Sequence, residues 1–297
     1  MDMMSFVLLV SLPVVVFACI RVIRRCKKLR RRKIKEQRNA EAMACIPGML
    51  PEHQPLLIPT SNGDGLKHDD LWIAHGGGIG DYAHSNCLEA IRDSIDKGFK
   101  FIEIDFEETT DGHLVGGHTW KELRRMLGAK RVCSAPMSKR QIMALRNQWK
   151  KTPVFSEDIC NLLQEYPHLI LVTDKTQNFE LLMQEIPYAD RMLIEASDCY
   201  NYMQALRAGV KNVALSVWSM EDLEKAHELH LPGIVLSATV MRDTPDSVKL
   251  IKTMRKNGCC INVHWASICD APDFIREHLG SSISRIYTDT WSPGNTP

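Results

Sequence analysis

From about residue 70 onward, short apolar runs alternate with amphipathic stretches. Runs of strand length, rich in β-branched and aromatic residues, cover 72–75, 101–106, 114–118, 169–174, 192–195, 212–217, 233–237, 260–264 and 285–289. Helical spacing fills the gaps. Leu88, Ile91 and Ile95 form one apolar face, with Ser85 as the expected N-cap and Gly98 as the stop. Ser219-Met220-Glu221-Asp222 reads as a capping box, and Pro245 opens a helix that stops at Gly258. Alternating units of this kind predict an α/β fold, a (β/α)8 TIM-type barrel. Nine runs compete for eight places, and 233–237 is the one set aside as accessory. In such barrels chemistry sits at the C-terminal ends of the strands. His75, Asp105, His118, Asp174 and Asp289 all fall at such ends.

The N-terminus follows a different pattern. Residues 5–20 are apolar, extending to Ile23 if Arg21 snorkels, and a run of arginines and lysines follows. The positive-inside rule then predicts a membrane-anchoring helix with its N-terminus outside and the barrel in the cytosol. The expected organisation is a transmembrane signal-anchor over 1–24, a basic juxtamembrane segment and linker over 25–68, and the barrel over 69–297. A helix lying in the interface, held by its basic run on anionic lipid, is the alternative. Linker character is expected from Ile34 to Lys67, where Pro47, Pro51, Pro55 and Pro59 precede Ser61-Asn62-Gly63-Asp64-Gly65. With 37 basic and 36 acidic residues the net charge is +1, and the excess base is concentrated in 21–38, so nothing suggests nucleic acid. The ten cysteines are scattered without metal-ligand spacing, as unpaired cytosolic thiols would be.

Candidate chemistry is densest between Trp72 and Trp120. Residues 99–106 alternate, so Glu103 and Asp105 share one face while Ile102, Ile104 and Phe106 share the other. Paired carboxylates repel unless a cation or a proton lies between them, and hard oxygen ligands suit Mg²⁺ or Ca²⁺. A solvated acidic face on an edge strand is the plainer alternative. Thr110-Asp111-Gly112 signals a tight turn, and the hairpin it makes returns His118 toward the end of the first strand. His75 closes its own apolar run. Two strand-end histidines beside a carboxylate pair suit general acid–base work near neutrality.

These residues resemble the glycerophosphodiester phosphodiesterase family, whose core reads His-Arg-Gly, Glu-Asn-Thr, Glu-x-Asp, Asp-Gly and His-Asp. Here the order is His75-Gly76-Gly77, Ser85-Asn86-Cys87, Glu103-Ile104-Asp105, Asp111-Gly112 and His118-Thr119. The resemblance implies that His75 and His118 are the acid–base pair. It also implies that Glu103, Asp105 and Asp174 bind the divalent metal. Four positions depart from the pattern. Gly76 replaces an arginine that helps hold phosphate, and Ser85 and Thr119 each replace an acidic residue. The family lysine two places beyond the third ligand is Thr176, with Lys175 one place early. Asp174 as third ligand is a form also seen in sphingomyelinase D-like enzymes. Lys175 and Trp265 are candidate substrate contacts, and Trp218 either walls the pocket or packs in the core. His84 and His113 are expected to be loop or surface residues. The implied function is metal-dependent hydrolysis of glycerophosphodiesters or lysophospholipids, lipid-derived phosphodiesters that a membrane anchor would bring within reach. The alternatives are a catalytically decayed, membrane-tethered scaffold or a sphingomyelinase D-like lyase.

Overall fold

The computed structural model describes residues 3–52, 54, 57, 70–243, 245–264 and 282–294. Trp265 and most of the proline-rich stretch lie outside them.

Eight parallel strands close into a barrel: β1 (Trp72–Ala74), β2 (Phe101–Glu103), β5 (Ile170–Thr173), β6 (Met192–Ala196), β7 (Val213–Val217), β8 (Gly233–Ser237), β9 (Cys260–His264) and β10 (Arg285–Thr288). β1 pairs with both β2 and β10, which closes the ring. Alternation sorts each strand's side chains between two layers. Ile73, Phe101, Val172, Leu193, Ala214, Val235 and Cys260 pack together in the barrel's interior. Ile102, Leu171, Ile194, Leu215 and Ile261 lie in the larger cluster shared with the helices. Those helices include α2 (Leu88–Asp96), α5 (Ser156–Glu165), α6 (Phe179–Glu185), α7 (Cys199–Arg207), α8 (Met220–Glu228), α9 (Ala238–Asp243) and α10 (Pro245–Lys256).

The run set aside as accessory, Gly233–Ser237, is a full barrel strand, paired along its whole length with β9. The surplus run is 114–118. Phe106–Glu108 (β3) and Leu114–Gly116 (β4) form a two-stranded antiparallel sheet outside the barrel. The reason is connection length. A parallel neighbour needs a crossover of a dozen or more residues, and the few between 106 and 114 can make only a hairpin. After β4 come α3 (Trp120–Met126) and α4 (Lys139–Met143).

Helix caps agree with the sequence where a hydroxyl is well placed. Ser219 Oγ accepts the Asp222 N–H at 3.2 Å, and Pro245 opens α10. Ser85 is not the cap of α2. Cys87 holds that position without a side-chain capping hydrogen bond.

The first helix, α1 (Met3–Cys45), is longer than expected and runs through residues 34–45 of the stretch read as linker. From Val14 to Cys45 there is no proline or glycine, and strong helix formers dominate. The prolines that signalled a linker all lie at 47 or beyond. The end of α1 is packed onto the barrel: Ala42 and Ile46 are fully buried, and Asn39 Oδ1 accepts the Tyr200 N–H at 3.0 Å. No helix among the described residues is long and apolar enough to cross a membrane. The 16 residues of the mainly apolar run 5–20 would extend about 24 Å at 1.5 Å each, short of the roughly 30 Å of a hydrocarbon core.

Beyond α1 the chain reaches the barrel's floor. Leu57 joins the interior cluster and lies so close to Gly233 that a Cβ there would come within 2.7 Å of a leucine methyl. Glycine at 233 makes room for this plug.

Candidate active site

The site is built by extending the interior row of each strand one step past its apolar layer. β1 leads to His75, β2 to Glu103 and Asp105, β5 to Asp174, β6 to Glu195, β9 to His264 and β10 to Tyr287. All line one cavity of about 800 Å³ at the C-terminal ends of the strands.

Glu103, Asp105 and Asp174 each bring a carboxylate oxygen to within 4.8 Å of the others. Glu103 and Asp105 are buried, and Asp174 is partly so. Burial first, and the neighbouring carboxylates second, push Glu103 well above its usual range and Asp174 up to about 7. Glu195, fully buried below them, is raised for the same two reasons. Two buried oxygens, Asp174 Oδ1 and Glu195 Oε1, have no hydrogen-bond partner. Converging carboxylates with unsatisfied oxygens fit a hard divalent cation, which Glu103, Asp105 and Asp174 would hold.

Two of these groups are fixed from the loop after β1. Gly76 N–H donates to Glu103 Oε2 at 2.6 Å. Asn86 is fully buried at a positive φ of 49°, and grips Asp105 twice. Its Nδ2 donates to Asp105 Oδ2 at 2.8 Å, and its Oδ1 accepts the Asp105 N–H at 2.9 Å.

His75 belongs to a cluster that the sequence reading did not foresee. Its Nδ1 lies 3.0 Å from Asp289 Oδ1, and its Nε2 lies 3.3 Å from His264 Nε2. Burial alone would raise Asp289, but hydrogen bonds from His75 and His84 outweigh it and hold the carboxyl well below its usual range. His84 Nε2 approaches the second Asp289 oxygen at 3.3 Å, and that hydrogen bond raises His84 despite its partial burial. Burial, and then the nearby His75, lower His264 to about 4, so it is neutral near pH 7. With Nδ1–H donating to Asp289, His75 presents Nε2 as its free ring nitrogen. A neutral His264 donates to it through Nε2–H, which leaves His264 Nδ1 buried without a partner.

His118 lines the same cavity, exposed, with Nδ1 3.1 Å from Glu122 Oε2. Thr119, beside it, caps α3 by accepting the Glu122 N–H. Lys175 and Trp218 line the same cavity, and Trp218 is an exposed wall, its ring 5.8 Å from that of His264. Thr176 is buried away from solvent. Strict alternation ends with β5 at Thr173, so the early lysine still reaches the cavity. His84 is a loop residue, as expected, yet it faces the cavity as well. His113 is structural: its Nδ1 lies 2.8 Å from Glu185 Oε1. Cys26, Cys45, Cys87, Cys133, Cys160, Cys199, Cys259 and Cys260 are free thiols. Glu195 and His264 were missed although the signal was available, since each continues the period-two inward row of its strand.

Gly76 also explains the absent arginine. It has φ of 55°, and a Cβ there would stand 2.4 Å from the His84 Cα. Gly76→Arg is therefore expected to disrupt the loop that holds Glu103. Strain in the left-handed region costs about 1–3 kcal/mol before the clash is counted. A lowered thermal midpoint together with lost activity would agree, and a stable, more active variant would not.

The sequence model of the glycerophosphoryl diester phosphodiesterase family matches residues 75–268, about two-thirds of the chain. The chain belongs to the glycerophosphoryl diester phosphodiesterase family. It is thus a phosphodiesterase-type enzyme on a TIM-type barrel. Solved structures share that fold. A glycerophosphodiester phosphodiesterase from Thermotoga maritima is 16% identical, with a TM-score of 0.57, covering 75% of this chain and 95% of its own. One from Parabacteroides distasonis is 14% identical with a TM-score of 0.60, covering 79% and 86%. A phosphodiesterase from Oleispira antarctica, solved with the product sn-glycerol-3-phosphate, is 15% identical with a TM-score of 0.53, covering 74% and 92%. At these identities the likeness is one of fold. No curated protein matches the chain significantly. Members of the glycerophosphoryl diester phosphodiesterase family are generally dependent on divalent metal, which agrees with the three converging carboxylates.

Proposed function

We propose that this enzyme hydrolyses glycerophosphodiesters, including lysophospholipids, by acid–base catalysis shared between His75 and His118. The carrying observation is the cavity itself, where both histidines face the carboxylate cluster of Glu103, Asp105 and Asp174. A cation held there, Mg²⁺ or Ca²⁺, would neutralise charge on the phosphodiester oxygens. One histidine takes the proton of the attacking hydroxyl as its oxygen bonds to phosphorus. The other gives a proton to the departing alkoxide as its bond to phosphorus breaks. Asp289 orients His75, and His264 donates to its Nε2 until substrate arrives. Lys175 supplies positive charge to the phosphate at the rim. Attack by the substrate's own glycerol hydroxyl gives a cyclic phosphate, whereas attack by water gives the open monoester.

Purified enzyme offered glycerophosphodiesters and lysophospholipids is expected to release glycerol phosphate or its cyclic form with Mg²⁺ or Ca²⁺, and to stop on chelation. Failure on every diester with either cation would sink the reading.

In the same reading α1 places the barrel at the cytosolic face of a membrane, with residues 5–20 in the lipid and the basic run on anionic headgroups. The full-length protein is expected to float with phosphatidylserine-containing vesicles at low salt, more weakly as salt rises. Protein that stays at the bottom of the gradient at low salt would refute the placement.

A further inference from the structure

Arg21, Arg24, Lys28, Arg31, Lys35 and Arg38 follow one another in alternating steps of three and four residues. That spacing puts all six on one face of α1. The same face, continued to Ala42 and Ile46, is the one buried against the barrel. The basic stripe therefore arrives at the molecule beside α7.

Where it arrives there is a second cavity, of about 370 Å³, whose lining includes Arg31, Lys35 and Arg38 from α1 and Tyr200 and Asn201 from α7. Gln177 and Ser197 line this cavity and the catalytic one alike, so the two are neighbours with a shared wall. Its charge is net positive. Asp198 is its one acidic lining residue, and it is already engaged, accepting the Asn201 N–H at 3.0 Å and pairing with Lys35 at 3.0 Å. Among the described residues, Arg31 and Arg38 have no acidic partner, and Arg38 lies over the Tyr200 ring at 5.3 Å. α1 lies wholly outside the segment that matches the family, so this cavity has one wall of the family barrel and one wall that is this chain's own.

We propose that the space between α1 and α7 is a second substrate subsite, which binds a distal phosphoryl group of the molecule whose diester occupies the catalytic cavity. The inference rests on the phosphodiesterase reading and adds to it a class of substrate: diesters with a second phosphate on one arm. Guanidinium groups suit that role, since they offer phosphate several donors in a fixed plane. Lys35 is held in place by Asp198, and Arg31 and Arg38 flank it one turn above and below.

The test compares two soluble nitrophenyl phosphodiesters that differ only at the end of the second arm, hydroxyl in one and phosphate in the other, on the full-length enzyme. The phosphate-ended diester is expected to have a kcat/KM about tenfold higher, carried by KM, in line with charge-assisted contacts. The double variant Arg31→Ala/Arg38→Ala should bring the ratio of the two substrates close to one. Arg32→Ala removes one positive charge from another face of α1, where Arg32 pairs with Glu36, and should keep the ratio. Equal kcat/KM for the two substrates in the wild type overturns the subsite. So does a ratio that survives the double variant, or one that Arg32→Ala lowers equally, which would make it a diffuse field of the helix. If the wild type cleaves neither diester, the phosphodiesterase reading itself fails and takes the subsite with it.

Discussion

Asp105→Asn is expected to abolish turnover while leaving the barrel folded. The amide keeps the size of the side chain and can still accept from Asn86, but it removes one of three charges that converge within 4.8 Å. Such a change weakens a hard cation's site without opening a cavity. The same cluster predicts how pH acts on the cation. Asp174 is raised to about 7, chiefly by burial and then by Asp105. A proton and a cation compete for these oxygens, so cation affinity should climb as pH rises through 7. For chelator-treated protein the sign is opposite. A carboxyl raised in the folded state stabilises the fold when protonated, and this contribution is lost as pH rises from about 4 through 7. His264, lowered to about 4, acts against it between 6.5 and 4, because there the unfolded chain binds the extra proton. The gain in thermal midpoint on adding cation should thus be larger at pH 8 than at pH 5.5, and absent in Asp105→Asn. An equal gain at both values, or a variant active without metal, would place the cation elsewhere.

Loss of either histidine is expected to cost about 10²–10⁴-fold on a natural diester, the usual worth of a positioned acid or base. The two variants should part on a nitrophenyl diester, whose leaving group departs without a proton. The variant that lacks the general acid recovers, and the one that lacks the base stays inactive. The wild-type pH profile should be bell-shaped, with limbs that belong to the pair. Asp289→Asn offers a finer reading of His75. It removes the charge that both His75 and His84 share, so His75 should lose its fixed orientation and kcat should fall more than KM changes. Wild-type rates in His75→Ala and His118→Ala, with metal-ligand variants dead, would leave the histidines structural.

The barrel was legible because alternation and helical spacing report burial directly. Phe101 and Glu103 point inward and Ile102 outward, as residues 99–106 foretold. What misled the strand count was a judgement of strength. Residues 114–118 read as a better strand than 233–237, and connection length, which sequence also displays, had to decide. In the site, Glu103, Asp105, Asp174 and the two histidines could be read because local pattern and family spacing coincide. Glu195 and His264 carry no motif, only an inward position, and they matter because the barrel brings distant strand ends together. His75 and His264 are 189 residues apart and still meet through Nε2. The role of Asn86 was hidden for another reason: its grip on Asp105 depends on a left-handed backbone that spacing does not reveal.

The docking of α1 has a consequence for the order of folding. Asn39 and the backbone of Tyr200 that it holds are 161 residues apart. During synthesis the end of α1 and Leu57 emerge early, yet their partners on α7 and at Gly233 follow much later. For that interval Ala42, Ile46 and Leu57 have no barrel to cover them, and contacts of such long range are slow to form. The basic helix that precedes them gives the waiting segment charge and solubility. The barrel's floor is therefore sealed late, by a part of the chain made before the barrel itself.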